Sequence, residues 1–487
     1  MASENSLKEQ ILARIRFDNP WWTSKSIPDD YRRMKPRLYI DSFYPLLIEP
    51  DIRRSIILMG PRRVGKTVML FHCIQRLIDA SVNPQKIVYL SIDTPIYNNI
   101  GLEELFTYAR EILQDPNLEG FFVIFDEIQY LKDWEVHLKS LTDSYRGTRF
   151  IASGSAAAAL KMKSTESGAG RFSDFMLPPL TFNEYIHLLD LESLIRTKTI
   201  VWRGMEMDAF DTMDIDELNR QFVNYINYGG YPEITLSKGI KVNPGQYIRS
   251  DIVDKVLLRD LPSLYGIQDI QELNRLFVHI SYRSGSEFSY EALSKESNIK
   301  KDTLKRYLQY LEAAFLIRIV YKIDACAKKM QRVSAFKVYL TNPSLRCALF
   351  SPLNDGDPAL GGMVETAVYS QWFQRNQELY YANWRQGRSE GEVDIVKLDE
   401  LKLKPTWIVE VKWSDRYYRN PGELDSLDAF MEKNGLNDAI VTSKTSSGLI
   451  EYKNRHLLFM PSSLYAYLVG HRTIRKGIQR EYYDDLI

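Results

Sequence analysis

The chain has 487 residues, 45% hydrophobic and 26% charged; this balance excludes a largely disordered chain and predicts two to four domains of roughly 100 to 200 residues each. Lys plus Arg and Asp plus Glu both number 63, so no global positive excess points to nucleic acid or membrane, and any such binding needs a local basic surface. Cys73, Cys326 and Cys347 are scattered, odd in number and outside metal-ligand spacing, which argues against a disulfide framework or structural zinc and fits a reducing cytosol.

The N-terminal stretch MASENSLKEQILARIRF is polar and charged, without the apolar core of a signal peptide, and no apolar run approaches the ~18 residues of a membrane-spanning helix. A cytoplasmic protein with no membrane partner is expected. From about 55 to 160, short apolar runs alternate with helical patterns: SIILMG, a helix from Lys66, KIVYLSID, a helix near 102–114, FFVIFDE, a further helix, and TRFIASGS. Strands alternating with helices predict a parallel sheet with crossover helices.

Within it, GPRRVGKT at 60–67 follows an apolar strand and opens a helix. Gly, four residues, Gly, Lys, Thr is the pattern of a phosphate-wrapping P-loop, whose glycines free backbone N–H groups to point inward while the helix N-terminus adds a favourable dipole. Gly60, Pro61, Arg62, Arg63, Val64, Gly65, Lys66, Thr67 and Val68 form the expected nucleotide-binding set. Lys66 is placed to reach the β and γ phosphates and Thr67 to hold Mg²⁺.

FFVIFDE puts Asp126 and Glu127 at the end of an apolar strand, at the edge where open parallel sheets bind ligands. Asp126 fits the magnesium-organising carboxylate and Glu127 the residue that orients or deprotonates the attacking water. Ser153 and Ser155 end the third strand, where a polar group senses the γ-phosphate or serves an ordinary turn. Arg171 completes the transition-state charge, in cis or across a subunit interface, or is a solvated loop residue.

From 183 to 265 the pattern turns helical, interrupted by YGGYPE at 228–233. Residues 288–336 read as helix, turn, helix and a short β wing. In TLKRYLQYLEAAFL, Leu304, Leu308, Leu311 and Phe315 share one face, leaving Lys300, Lys301, Lys305 and Arg306 at the helix start and exposed side. That layout suits a winged helix with lysines on phosphates, or one used only as a packing spacer.

From about 337 a mixed α/β region has a helix at 362–374 and strands at 379–385, 392–398 and 406–413. In WIVEVKWSD, Glu410 and Lys412 share a strand face with Ile408, while Trp407, Val409, Val411 and Trp413 share the other. A half-solvated strand explains this as well as catalysis does. Asp394 sits at the centre of GEVDIVKL, and Glu365 is the only acid of GMVETAVYSQWF. A lone carboxylate on an apolar helix needs a partner, because burying it unpaired costs several kcal/mol. Arg385 and Arg388 are weaker phosphate-gripping candidates.

NPWW at 19–22, LMGPRRVGKTVML, FDEIQYL, GSAAAAL with the later GRF, PLTFNEY and GGYPE together resemble the AAA-type ATPases of bacteria and archaea that carry a C-terminal nuclease-like domain. Glu365, Asp394, Glu410 and Lys412 resemble the charged set of the PD-(D/E)xK nuclease superfamily, with Val393 where the name has Pro. This resemblance implies Mg²⁺ or Mn²⁺ on Asp394 and Glu410, charge stabilisation or water orientation by Lys412, and assistance from Glu365.

The expected architecture is α/β: an N-terminal extension over 1–38, an AAA-type P-loop domain over 39–190, a helical linker or lid over 191–275, a winged helix over 276–336, and a restriction-endonuclease-like domain over 337–487. The expected function is an ATP-hydrolysing protein acting on nucleic acid, DNA favoured, whose ATP state controls the nuclease-like domain. The alternative is a nucleotide-switched DNA- or protein-binding module with an inert nuclease fold. A homo-oligomer is suggested by the AAA resemblance alone.

Overall fold

The structure is a computed structural model and describes residues 2–49, 54–98, 100–115, 119–154, 170–237, 239–240, 243–328, 335–374, 378–386, 389–399 and 401–475. Ser155 and Arg388 lie outside the described residues. The chain divides into two compact units, Met1–Pro178 and Pro179–Ile487. Among the described residues no helix is long and apolar enough to cross a membrane.

The first unit is built on five strands, β1 (Ser55–Met59), β2 (Ile87–Ser91), β3 (Phe122–Asp126), β4 (Arg149–Gly154) and β5 (Phe172–Met176). All pair in parallel, in the order β2-β3-β4-β1-β5. Their near-continuous apolar runs are those of strands covered on both faces. Because β4 lies between β1 and β3, the loop after β1 and the acids after β3 meet across one intervening strand at the same sheet edge.

The NPWW segment has a structural task at the free edge of β2. The Asn19 amide donates to Tyr89 O (2.9 Å) and accepts from Tyr89 N (2.7 Å), so a side chain takes the place of a neighbouring strand. Both indoles, Trp21 and Trp22, donate to Ile87 O at 3.0 and 2.8 Å. An edge covered in this way offers no template for another chain.

The second unit opens with the segment PLTFNEY, where Thr181 and Glu184 form a reciprocal capping box at a helix start. Leu180 N donates to Gly230 O, which ties this segment to GGYPE. The stretch expected to be helical contains a hairpin, β6 (Arg196–Trp202) and β7 (Met205–Asp211). Its two-residue turn, Arg203 and Gly204, has φ of 54° and 75°, the double left-handed geometry that matches strand twist. The β-branched alternation of RTKTIVW outweighs the helical pattern around it.

The rest of the unit carries one nine-stranded sheet, made of β8 (Glu287–Ser289), β9 (Ile317–Ile323), β10 (Ala335–Leu340), β11 (Leu379–Gln386), β12 (Ser389–Leu398), β13 (Pro405–Glu410), β14 (Asp438–Ser443), β15 (Gly448–Tyr452) and β16 (Arg455–Pro461). The order is β15-β16-β14-β13-β12-β11-β9-β10-β8. Helices Tyr290–Ser297 and Lys301–Ala313 sit between β8 and β9, so a helix-turn-helix unit and its antiparallel strands belong to the same sheet as the C-terminal region. Residue 337, where the sequence places a domain start, lies inside β10.

Candidate functional site

Two clusters of polar side chains gather at strand ends, one in each unit. In the first, the loop from Gly60 to Gly65 leads into the helix Lys66–Asp79. A Cβ on Gly60 would stand 2.2 Å from Leu177 O, and Gly65 has φ of 93°, so both positions need glycine. Arg37 props the loop from behind by donating to Val64 O at 2.5 Å. The Lys66 ammonium turns onto the loop's own carbonyls, Gly60 O at 3.1 Å and Pro61 O at 2.9 Å.

Asp126 is 1% exposed and saturated. Its Oδ2 accepts from Thr67 Oγ1 and from the Tyr89 hydroxyl, both at 2.7 Å, and its Oδ1 accepts from Ser153 Oγ and from Glu127 N. Burial first, then the neighbouring Glu127 charge, push its carboxyl above the ordinary range despite these donors. Glu127 has φ of 54° and accepts from Gln129. Such a left-handed conformation at a non-glycine is rare and marks a position held by its surroundings.

The structure therefore brings together the loop, Thr67, Asp126, Glu127 and Ser153. Arg171 is elsewhere. Its carbonyl accepts from Ser55 N at the start of β1, the opposite end of the strand from the loop, and its guanidinium pairs with Asp143 at 2.6 Å. It contributes nothing to the loop of its own chain.

The second cluster lies around β10, β12, β13 and the helix Leu360–Ser370. β12 carries one extra residue opposite β11 at Asp394–Ile395, since Tyr380 pairs with Val396 and Ala382 with Val393. This bulge breaks alternation, so that Val393 and Val396 enter one apolar cluster together and Asp394 is released from it. Bulges commonly re-aim a side chain in this way.

Asp394 Oδ2 accepts from Val411 N at 2.9 Å and lies 3.6 Å from the Lys412 ammonium, which pairs with Glu410 Oε1 at 2.6 Å. Glu410 Oε2 is buried with no hydrogen-bond partner. Glu365 Oε1 accepts from Tyr339 (2.5 Å) and from Lys337 (2.9 Å), and the same Lys337 ammonium lies 2.6 Å from Glu392 and 3.5 Å from Asp394. Four carboxylates thus surround two ammonium groups.

The two carboxylates of the strand pair are driven apart. Burial works to raise Asp394, but Lys412 and Lys337 outweigh it and hold the group below the ordinary range. Burial, with the Asp394 charge added, pushes Glu410 up to about 8 and Glu365 up to about 6. For Lys412 burial opposes the charge, yet Asp394 and Glu410 more than offset it and the ammonium is strongly retained. Paired groups with opposed shifts mark a site whose chemistry is set by environment.

Among the described residues, no group of three or more His, Cys, Asp or Glu stands in a metal-ligating arrangement. The space between the carboxylates is taken by ammonium groups. Glu410 Oε2, buried without a hydrogen-bond partner, and the Asp394 carboxylate are the oxygens this cluster would offer to a hard divalent cation.

On the helix Lys301–Ala313, Leu304, Leu308 and Leu311 are buried and Lys300, Lys301, Lys305 and Arg306 are exposed. Lys301 pairs with Glu291, and Lys305 lies over the Tyr290 ring at 5.5 Å. Arg385 is exposed, 4.0 Å from Glu390.

Residues 52–186 match the family model of an AAA domain, and residues 219–356 match a domain family of unknown function, DUF8612. The N-terminal unit carries an AAA-type P-loop ATPase domain. Two uncharacterized proteins of Methanocaldococcus jannaschii are 25% and 26% identical to the chain, spanning 71% and 66% of it and 72% and 68% of their own lengths. An uncharacterized protein of Haemophilus influenzae is 24% identical over 76% of the chain and 85% of its own length. Among solved structures, a Walker-type ATPase of Pyrococcus abyssi superposes with TM-score 0.37 at 14% identity, over 63% of this chain and 94% of its own. ADP-bound Hsp104 of S. cerevisiae gives TM-score 0.28 at 16% identity, over 56% of this chain and 37% of its own.

The ATPase domain implies ATP with Mg²⁺, and its residues fit both. Thr67 and Asp126 already touch each other where a hydroxyl and a carboxylate would share a cation, and the Lys66 ammonium sits on carbonyls it can exchange for phosphate oxygens. Three participants escaped the sequence reading: Tyr89, Glu392 and Lys337. Lys337 had a signal, being the lone charge of the apolar run AFKVYL, the same anomaly that singled out Glu365.

Proposed function

We propose that the chain is an ATP-driven protein acting on nucleic acid, in which the nucleotide state of the ATPase domain controls metal-dependent phosphodiester cleavage by the C-terminal cluster. The observation that carries this reading is the convergence of Asp394, Glu410, Lys412 and Glu365, from a helix, the bulged β12 and the end of the adjacent β13, on one buried spot with an unpartnered carboxylate oxygen. The order of helix and strands around the cluster supports a restriction-endonuclease-like fold.

Asp394 and Glu410 would hold Mg²⁺ or Mn²⁺, which supplies Lewis-acid polarisation and a nucleophile at neutral pH. Lys412, kept charged chiefly by Asp394, would stabilise charge developing on the scissile phosphate or orient water. Glu365, held by Tyr339, would assist from its helix. In the ATPase domain Lys66 would bind the β and γ phosphates, Thr67 and Asp126 would organise Mg²⁺, and Glu127 would orient the attacking water. Ser153, which donates to Asp126 and accepts from Glu127 N, would sense the γ-phosphate, and Arg171 would act only across a subunit interface. The helix-turn-helix unit, read as a winged helix, would place Lys300, Lys301, Lys305 and Arg306 on DNA phosphates, giving weakly sequence-specific, salt-sensitive binding.

A second reading, a nucleotide-switched binding module with an inert nuclease fold, is favoured by the lysines that fill the carboxylate cluster. Cleavage of linear and supercoiled DNA in Mg²⁺ or Mn²⁺, with and without ATP, separates the two. Cutting lost in Lys412→Ala and altered in Lys66→Ala is expected. Intact DNA throughout, with ATP still hydrolysed, would leave the binding module.

A further inference from the structure

Lys337 is 2% exposed, reaches the carboxylate cluster from β10, and passes the Tyr381 ring at 5.4 Å. Its ammonium lies between Glu392 at 2.6 Å, Glu365 at 2.9 Å and Asp394 at 3.5 Å. Asp394 is shared between two lysines, Oδ1 facing Lys337 and Oδ2 facing Lys412. A buried carboxylate needs a counter-charge, and an ammonium with three donors inside three carboxylates supplies it as an inorganic cation would.

We infer that Lys337 is a built-in counter-ion of the carboxylate cluster that competes there with the divalent cation, holding Glu365 and Asp394 together in the cation's absence and weakening its binding. The inference rests on the metal-site reading given above. Its physical basis is that the Glu365 and Asp394 oxygens a cation would need are engaged by Lys337, while Glu410 Oε1 is held by Lys412 and its Oε2 has no partner. A like charge a few ångströms from a cation site, in a poorly solvated pocket, opposes binding strongly. The lysine is a positioning residue and not a catalytic one.

The test is Mn²⁺ binding to the full chain by titration calorimetry, in the wild type, Lys337→Met, Lys337→Arg and Asp394→Asn. The neutral methionine variant is expected to bind Mn²⁺ at least about tenfold more tightly than the wild type, the arginine variant no more tightly, and the asparagine variant more weakly. Equal affinity in the wild type and Lys337→Met, with binding lost in Asp394→Asn, would overturn the role of Lys337 and leave the metal site standing. No Mn²⁺ binding in any variant would overturn both. Should Lys337→Met lose its folded circular dichroism signal, acetic anhydride labelling of the wild type read by peptide mass spectrometry decides instead. Lys337 is expected to be protected without Mn²⁺ and labelled several-fold more with it, and unchanged labelling would overturn the inference.

Discussion

Replacing Glu410 with glutamine should stabilise the protein in alkaline solution by an amount that grows with pH. In the folded chain burial and the Asp394 charge raise the Glu410 carboxyl from 4.5 to about 8, so folding retains a proton that the unfolded chain releases. Below the unfolded value both states are protonated and the substitution is neutral. Between the two values each rise in pH favours the unfolded state, and above the folded value the full cost is present. The rise corresponds to an upper bound of about 5 kcal/mol. Relaxation around a charged Glu410 reduces this, and a difference of roughly 2–4 kcal/mol between variant and wild type at pH 9 is expected. Urea titrations of both proteins from pH 4.5 to 9, followed by tryptophan fluorescence, measure it directly. A variant no more stable than the wild type at pH 9 would show that Glu410 ionises without cost and that burial beside Asp394 does not hold its proton.

Lys66→Ala should abolish measurable ATP turnover, since it removes the ammonium that sits on Gly60 O and Pro61 O and would pass to the phosphate oxygens; steady-state hydrolysis assays check this. Tyr89→Phe removes one of the two donors on Asp126 Oδ2 and should raise the Mg²⁺ needed for half-maximal ATP turnover by about three- to tenfold, the worth of one ordinary hydrogen bond, while the fold survives. Asn19→Ala leaves Tyr89 N and O unpartnered at the edge of β2 and should cost about 2–4 kcal/mol, visible as a lower denaturation midpoint of the first unit; a loss under 1 kcal/mol would mean that water replaces the amide. Lys305→Ala with Arg306→Ala should weaken duplex DNA binding and flatten its log-log salt dependence by about one to two, and an unchanged slope would remove this helix from the DNA surface.

The first unit was legible because its signals are local. A strand, a loop with fixed glycine spacing and a helix follow one another, so the P-loop can be read without knowing what folds against it. Asp126 was legible because an acid ending an apolar strand is conspicuous. The contacts of Tyr89 were not, because a tyrosine in KIVYLSID is an ordinary strand residue until β2 lies beside β3. In the second unit Glu410 and Lys412 stood out by being two apart on one strand. The hairpin at 196–211 was missed because period-3.6 and period-2 patterns overlap there and the Arg203-Gly204 turn lacks the common Asn-Gly signature. Arg171 shows where a local reading stops: the sequence leaves it acting in cis, across a subunit interface or solvated in a loop, and only the parallel pairing of β5 with β1 puts it at the end of the strand opposite the P-loop of its own chain. Lys337 needed long-range pairing to reveal it, since 28 residues separate it from Glu365.

The unbroken hydrogen-bonded ladder from β8 to β15 has a consequence for how such a chain can be cut or rebuilt. A fragment starting beyond β10 would carry Asp394, Glu410 and Lys412 but would forfeit Lys337, Tyr339 and β9, the strand that pairs with β11 on that side, exposing a raw edge in the middle of a sheet. The helix-turn-helix unit and the carboxylate cluster are therefore not beads on a string that recombination can shuffle independently. They share one plate, because β10, which pairs with β8 and β9 around the two helices, also sends Lys337 and Tyr339 into the cluster.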